Sequence, residues 1–283
     1  MIYASTNCLK NPRDVIRVLK EYEKAGIQNV ELGSVHRPFN TNELKQFDFN
    51  FIIHGYFPPP KKSLIFNLAS QNKIIRKSSI KLAKNAISLC CDIESPLYTF
   101  HAGFTVDPKK LGSRFLRQNI VNKEKSIETF VESVNDVIDY ARKYGIKIAM
   151  EPNCVEEFNL TENENKLLLF ADYDDMKQFS KIFKKKDVGI LLDLGHTAVT
   201  SHWLNFDKNK FVDLCAKRAI AVHASNNNGK NDQHRSLTKK CWQASKLKLF
   251  KNIPITLETM NLDIKKIKSN IRIAENLIQD DFS

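Results

Sequence analysis

The sequence contains no run of 18 consecutive apolar residues, and no apolar stretch of the kind found in secretory signals follows Met1-Ile2-Tyr3. A membrane-spanning helix needs about 20 predominantly apolar residues, and a signal peptide needs a charged start followed by an apolar segment. The overall hydrophobic content of 42% is ordinary for a globular protein. We therefore expect a soluble, cytoplasmic protein without a membrane partner.

Cysteine pairs with metal-site spacing are also absent. The six cysteines are scattered without any C-x-x-C spacing, at Cys8, Cys90, Cys91, Cys154, Cys215 and Cys241. An intracellular chain keeps such thiols reduced. The sequence therefore predicts neither a disulfide framework nor a cysteine metal site.

Two glycine-rich phosphate-binding motifs are missing as well. No G-x-G-x-x-G follows the first apolar run, and no G-x-x-x-x-G-K-[ST] occurs. Both absences count against a doubly wound nucleotide-binding sheet. No linker or low-complexity tract divides the chain, so we interpret residues 1–283 as a single domain.

The charge balance is basic, with 44 lysines and arginines against 32 acidic residues and a net charge of +12. Such an excess favours an anionic ligand. The lysines are nevertheless dispersed over the predicted helix faces, and the densest clusters lie where helices begin or end. The charge is therefore weaker support for nucleic acid than for a small anion.

Apolar runs recur eight times, each followed by a loop and usually by a helical pattern. They lie at Ile2–Ser5, Asn29–Leu32, Phe51–His54, Leu97–His101, Ile146–Met150, Val188–Leu192, Ala219–Val222 and Ile253–Leu257. Between them, helices are predicted from about Leu68 to Cys91 and from Glu124 to Tyr144, the latter ended by Gly145, and a last helix from about Ile264 to Ile278. Eight strand–helix alternations over this length predict an α/β protein with a single (β/α)₈ TIM barrel.

Metal-binding residue types follow the apolar runs at six of the eight strand ends. They are His54, His101, Glu151, Asp193, His223 and Glu258, and the loops just after them add His196, Asp232 and His234. In a barrel the carboxyl ends of all strands converge on one face, and TIM-barrel enzymes have their active sites on that face. Several carboxylates buried near one axis are costly without a cation. The positions together predict a divalent metal centre.

Several strings carry a resemblance to the xylose isomerase-like TIM barrel superfamily, which contains sugar isomerases, sugar epimerases and endonuclease IV. They are VELG at residues 30–33, FHAG at 100–103, Glu151-Pro152-Asn153, LDLGH at 192–196, VHASNNNGKNDQH at 222–234 and LET at 257–259. The resemblance implies that Glu151, Asp193, His223 and Glu258 bind one Mn²⁺, Co²⁺, Mg²⁺ or Zn²⁺ ion. It also implies that His196 contacts substrate.

The endonuclease IV branch implies a different use of the same face. There the matching positions belong to a three-zinc cluster, with further ligands at His54, His101, Asp232 and His234. In the sugar-enzyme branch those four residues would bind substrate or shape the pocket together with His196. The loop after His234 departs from the family by lacking a Gly-Glu-Gly turn. The first strand and loop do not resemble the DNA-reading segment of endonuclease IV, whereas GIQNVELG at residues 26–33 is similar to the isomerase branch.

Our functional prediction is a metal-dependent isomerase or epimerase of carbohydrate metabolism, acting on a small sugar or sugar phosphate. Glu151 and Glu258 are the predicted catalytic pair for proton transfer next to a carbonyl. The alternative is a zinc-dependent phosphodiesterase acting at abasic sites in DNA, and a barrel retained as a binding protein is a third interpretation. A homo-oligomer is compatible with the sequence.

Overall fold

The computed structural model describes residues 1–62, 64–109 and 118–279. Eight parallel strands form a closed barrel in which each strand pairs with the next along the chain and the last pairs with the first. The strands are β1 (Ile2–Ser5), β2 (Asn29–Leu32), β3 (Asn50–His54), β4 (Leu97–His101), β5 (Lys147–Glu151), β6 (Gly189–Asp193), β7 (Ala219–Ala224) and β8 (Ile255–Leu257). The predicted (β/α)₈ barrel is confirmed.

The helices surround this barrel. They are α1 (Val15–Lys24), α2 (Lys73–Asp92), α3 (Lys123–Tyr144), α4 (Tyr173–Ile182), α5 (Leu194–Trp203), α6 (Lys208–Ala216), α7 (Trp242–Lys246) and α8 (Ile264–Gln279), with 3₁₀ turns at Thr41–Gln46, Glu157–Asn159 and Leu247–Phe250. The connection from β2 to β3 carries only a 3₁₀ turn, whereas two helices connect β6 to β7. Among the described residues, no helix combines the length and apolarity that crossing a membrane would require.

Helix α3 shows how local sequence sets the ends of an element. The side chain of Asn122 accepts a hydrogen bond from the Lys125 amide at the start of the helix, and Gly145 ends it with φ 69°. A glycine adopts this left-handed conformation without the penalty that a Cβ brings. Phe130 and Val134 are fully buried on the inner face of the helix. Burial of each such side chain contributes about 1.5–3 kcal/mol.

Helix α2 begins five residues later than the predicted Leu68. The Asn67 side chain accepts hydrogen bonds from the amides of Ala69 (3.0 Å) and Phe104 (2.9 Å), which holds this segment in a turn. The Asn72 side chain then accepts from the Ile74 amide (2.9 Å) and caps the helix. Asparagine at such a position satisfies a backbone donor that the first helical turn leaves free.

Side-chain alternation along the strands divides the barrel interior into two layers. The lower layer is apolar and consists of Tyr3, Ile52, Leu97, Ala149, Leu191 and Ala221, one residue from each of six strands. Two residues further along β3, β5, β6 and β7 come His54, Glu151, Asp193 and His223. Since residues i and i+2 of a strand point to the same side, these polar side chains form the upper layer of the interior.

Candidate metal centre

Strand register brings the strand-end residues to one level. His101 pairs with Glu151 between β4 and β5, and Asp193 pairs with His223 between β6 and β7. Glu258 follows β8 directly, and its amide donates to the Ala224 carbonyl at 3.3 Å. The upper layer of the interior is therefore continuous with the carboxyl-end face, as the sequence predicted.

Four of these residues surround one point, and we call them the central group: Glu151, Asp193, His223 and Glu258. His223 Nδ1 lies 3.2 Å from Glu258 Oε2, 3.8 Å from Asp193 Oδ2 and 3.8 Å from Glu151 Oε1. All four side chains are buried. Asp193 also caps helix α5 through its Oδ1, which accepts from the His196 amide at 2.8 Å. This hydrogen bond fixes the carboxylate so that Oδ2 faces His223.

A first outer group joins the central group through Glu151. The second oxygen of Glu151, Oε2, lies 3.2 Å from His101 Nδ1 and 3.5 Å from His54 Nε2. Both oxygens of this carboxylate thus face imidazole nitrogens, so Glu151 connects the two groups.

A second outer group consists of His196, Asp232 and His234. Asp232 Oδ2 lies 2.9 Å from His234 Nε2 and 3.3 Å from His196 Nε2. His196 Nδ1 lies 3.1 Å from Glu151 Oε1, which connects this group to the central one. All nine residues singled out in the sequence therefore meet in one continuous cluster.

The loop that carries Asp232 and His234 is anchored on three sides. Asn226 and Arg235 form a two-way backbone bridge of 2.8 Å at its base. The Asp232 amide donates to Glu156 Oε1 of the loop after β5 at 2.8 Å. The Met260 amide donates to the His234 carbonyl at 2.9 Å. A loop with these tertiary hydrogen bonds holds its carboxylate and imidazole in place.

Three of the histidines have one ring nitrogen occupied by an orienting partner. His54 Nδ1 contacts Thr99 Oγ1 (2.8 Å), and His234 Nδ1 contacts the Glu258 carbonyl (2.8 Å). His223 Nε2 contacts Glu31 Oε2 at 2.7 Å. In each case the other nitrogen faces a carboxylate of the cluster, which is the arrangement of histidines that bind metals.

Electrostatics in the cluster favour the ionised forms of Glu151 and Glu258. Burial raises the pKa of Glu151, but the imidazoles of His101, His196 and His54 outweigh it and lower this pKa to about 2. Burial likewise raises the pKa of Glu258, and His223 and His234 bring it well below its usual range. The Asp193 pKa is instead raised, chiefly by burial.

The pKa values of the histidines differ from one another, although all of these side chains belong to the same cluster. Burial lowers the pKa of His223, but Glu31 and Glu258 outweigh it and raise that pKa well above its ordinary value. The carboxylates of Asp232 and Glu258 similarly raise the pKa of His234 to about 10 against the effect of burial. The pKa of His101 is lowered to about 4, mainly by burial. In the metal-free chain, protonated imidazoles therefore balance part of the negative charge.

Several buried polar atoms of the cluster make no hydrogen bond to any described residue. They are both carboxylate oxygens of Glu151, Asp193 Oδ2, His196 Nδ1, His223 Nδ1 and Asp232 Oδ1. Buried polar atoms are normally hydrogen-bonded, and a cluster of buried charges without a cation destabilises the fold. Imidazole and carboxylate donors suit Zn²⁺, Mn²⁺ or Co²⁺. The residues present therefore fit a divalent cation.

Two residues in or beside the cluster were not among the predicted site residues. Glu31 lies in the middle of β2, paired with Ile52 of the inward-facing layer, and is buried. The sequence signal for Glu31 was an acidic residue between the apolar Val30 and Leu32 of a predicted strand. Cys154 has its thiol within 4.8 Å of ligand atoms of His196 and Asp232, although the sequence argument predicted no cysteine ligand. The available signal for Cys154 was its place directly after Glu151-Pro152-Asn153, in the loop that follows a predicted strand end.

Known proteins resemble this chain over most of its length. A family profile described as xylose isomerase-like TIM barrel matches residues 19–275. The uncharacterised protein MJ1311 of Methanocaldococcus jannaschii is 24% identical over 67% of this chain and 55% of its own length. Apurinic-apyrimidinic endonuclease 1 of Plasmodium falciparum is 26% identical over 86% of this chain and 38% of its own. The chain thus spans about half or less of these two curated relatives.

Among solved structures, one titled as a D-tagatose 3-epimerase-like protein superposes with a TM-score of 0.75 at 19% identity. The superposition covers 100% of this chain and 99% of that one. At this level of identity the similarity establishes the fold. The choice between the reactions of these relatives depends on the chemistry of the cluster.

Proposed function

Because the chain belongs to the xylose isomerase-like TIM barrel family, we propose that it is a divalent-metal-dependent isomerase or epimerase of a sugar or sugar phosphate. Glu151, Asp193, His223 and Glu258 would hold the central ion. When bound, such an ion polarises a carbonyl and the hydroxyl beside it, which makes the intervening C–H bond more acidic.

The observation that carries this proposal is the glutamate pair. Glu151 from β5 and Glu258 after β8 both reach His223 Nδ1, at 3.8 and 3.2 Å. The pKa values of both carboxylates are lowered, so both are in the ionised form that a general base requires. A base on each side of a bound sugar carbon is what proton removal and return require.

The two glutamates differ in their surroundings, which suggests different tasks. The Glu151 side chain is 0% exposed, and imidazoles flank both of its oxygens. The Glu258 side chain is 9% exposed and lies nearer the mouth of the barrel, beside His234. We assign Glu258 to the first removal of the proton, and Glu151 to its return on the other face or the neighbouring carbon. His196, Asp232 and His234 would bind the sugar hydroxyls.

Solvent isotope exchange tests the assignment. Glu258→Gln retains the size of the side chain but cannot act as a base, so turnover should fall by about 10²–10⁴-fold at saturating metal. The wild-type enzyme should exchange the substrate C–H with deuterium from the solvent. Asp175→Asn, which changes a buried carboxylate next to Lys123 outside the cluster, is the matched control and should exchange normally. If no aldose or ketose exchanges deuterium with the wild type, the proposal is wrong.

A second candidate function is hydrolysis of a phosphodiester, and the two outer groups favour it. A single-ion enzyme needs only the central group, yet His54 and His101 flank Glu151 Oε2, and His196 and His234 flank Asp232 Oδ2. Three groups that meet at Glu151, the second outer group through His196 Nδ1 at 3.1 Å, could hold three ions. Clustered ions stabilise both the attacking and the leaving oxygens of a displacement at phosphorus.

Metal stoichiometry separates the two candidates. The sugar enzyme should contain about one ion per chain, whereas the hydrolase should contain about three zinc ions and cleave a duplex with an abasic site. His101→Ala sharpens the comparison because His101 belongs only to the first outer group. This variant should keep the single ion of the sugar enzyme but lose one of three ions from the hydrolase.

A further inference from the structure

A carboxylate outside the predicted site lies directly behind the central group. Glu31 is in the middle of β2, where it is paired with Ser5 of β1 and Ile52 of β3. Its neighbours Val30 and Leu32 pack outward into the layer beneath the helices, so Glu31 points into the barrel. Only 1% of its surface is exposed. A charged side chain in such a place requires partners.

The partners of Glu31 come from two other strands. Oε2 accepts hydrogen bonds from His223 Nε2 at 2.7 Å and from Thr256 Oγ1 at 3.0 Å. The second oxygen, Oε1, has no hydrogen-bond partner among the described residues. His223 is itself 0% exposed, so its contact with Glu31 is shielded from bulk solvent.

The opposite edge of the same imidazole faces the three carboxylates of the central group, through Nδ1. A histidine binds a metal through one nitrogen, and a hydrogen bond from the other fixes the tautomer and the ring plane. The contact with Glu31 places the remaining N–H on Nε2 and directs the Nδ1 lone pair into the central group.

We propose that Glu31 is a positioning residue that orients His223 and strengthens its bond to the central ion. The inference rests on the metal centre of the proposed function and holds for either candidate reaction. His54 has only a threonine hydroxyl and His234 only a backbone carbonyl in the equivalent place. A carboxylate partner makes the imidazole a stronger electron-pair donor to the metal, so His223 should be the tightest histidine ligand of the cluster. Such orienting partners contribute about 10–100-fold to metal affinity.

The test measures metal affinity and the histidine tautomer separately from turnover. Metal-stripped wild type, Glu31→Gln and Asp175→Asn are titrated with Zn²⁺ in competition with a chelator. The tightest Kd should weaken about 10–100-fold in Glu31→Gln and stay unchanged in Asp175→Asn, a buried carboxylate away from the cluster. Circular dichroism of the metal-free proteins verifies that both variants are folded.

Long-range ¹H–¹⁵N NMR of the Zn²⁺-loaded wild type needs no substitution and remains decisive if Glu31→Gln fails to fold. It should show His223 with a proton on Nε2 and with Nδ1 bound to the metal. Coordination through Nε2, or a Kd in Glu31→Gln within about twofold of the wild type, would overturn the inference. A wild type that binds no divalent ion would overturn both this inference and the proposed function. A protein that gives the expected Kd shift and tautomer but converts neither a sugar nor an abasic-site duplex would contradict only the proposed function.

Discussion

Metal binding should release protons, and their number follows from the metal-free cluster. Glu31 and Glu258 raise the pKa of His223 well above its ordinary value, against the effect of burial, so the doubly protonated ring is favoured in the metal-free chain at pH 7. An ion bound through Nδ1 displaces one of these protons. Glu151 contributes none, since its pKa of about 2 leaves it already ionised. Glu258 contributes none for the same reason, whereas the raised pKa of Asp193 adds to the count any proton that this carboxyl still holds. Occupancy of the central group alone should therefore release at least about one proton per chain.

Occupancy of the outer groups changes this number in a defined way. His196 and His234 also have raised pKa values, the latter about 10, so each should lose a further proton when the second outer group binds an ion. His101 is already neutral because burial lowers its pKa to about 4. Three ions should therefore release about two protons more than the central ion alone.

Calorimetric titration with Zn²⁺ at pH 7, repeated in buffers of different ionisation enthalpy, gives the number of protons directly. The same number appears as the slope of log Kd against pH between pH 6 and 8, where each released proton strengthens binding about tenfold per pH unit. His101→Ala is the control and should leave the proton count of the central ion unchanged. Binding without proton release, with a Kd independent of pH, would refute this account of the cluster's charges.

Three further predictions concern single side chains. Asp232→Ala should reduce turnover more than metal content in a single-ion enzyme, whereas elemental analysis showing a lost zinc ion would favour the hydrolase. His36→Gln tests how the free energy of unfolding depends on pH. Burial lowers the pKa of His36 to about 4, and its ring contacts Thr6 Oγ1 and the Pro12 carbonyl. The neutral ring therefore stabilises the fold fully above the unfolded pKa of about 6.5, and up to about 3 kcal/mol is lost as the pH falls toward 4. Urea unfolding should show a smaller loss between pH 7 and pH 4.5 in His36→Gln than in the wild type, and equal losses would contradict the prediction. Phe170→Ala removes a fully buried ring that packs on Phe130 and Phe179, so it should cost about 3–5 kcal/mol in the same assay without altering metal content.

The strand-end positions of the candidate ligands could be predicted from sequence because local rules determine them. An apolar run that ends in Glu151 or Asp193 identifies a buried parallel strand and its polar end, and closure of the barrel necessarily brings such ends to one face. Helix α3 was predicted to within one residue of its start, since its apolar period, its cap and Gly145 are all local signals. The start of α2 was missed because Asn67 is held by the distant Phe104 amide.

The tertiary structure alone decided how the candidate ligands are connected. Glu31 and His223 are 192 positions apart, and no periodicity relates them. Their contact exists because the barrel closes, so that only β8 and β1 lie between β7 and β2 and both side chains enter the same interior. The anchoring of Asp232 by Glu156, and the connecting position of Glu151, likewise depend on loops and strands that meet only after closure. The local sequence determines the residue types and the strand ends. Distances across the barrel determine which ring nitrogen or carboxylate oxygen each residue uses and which residue it contacts.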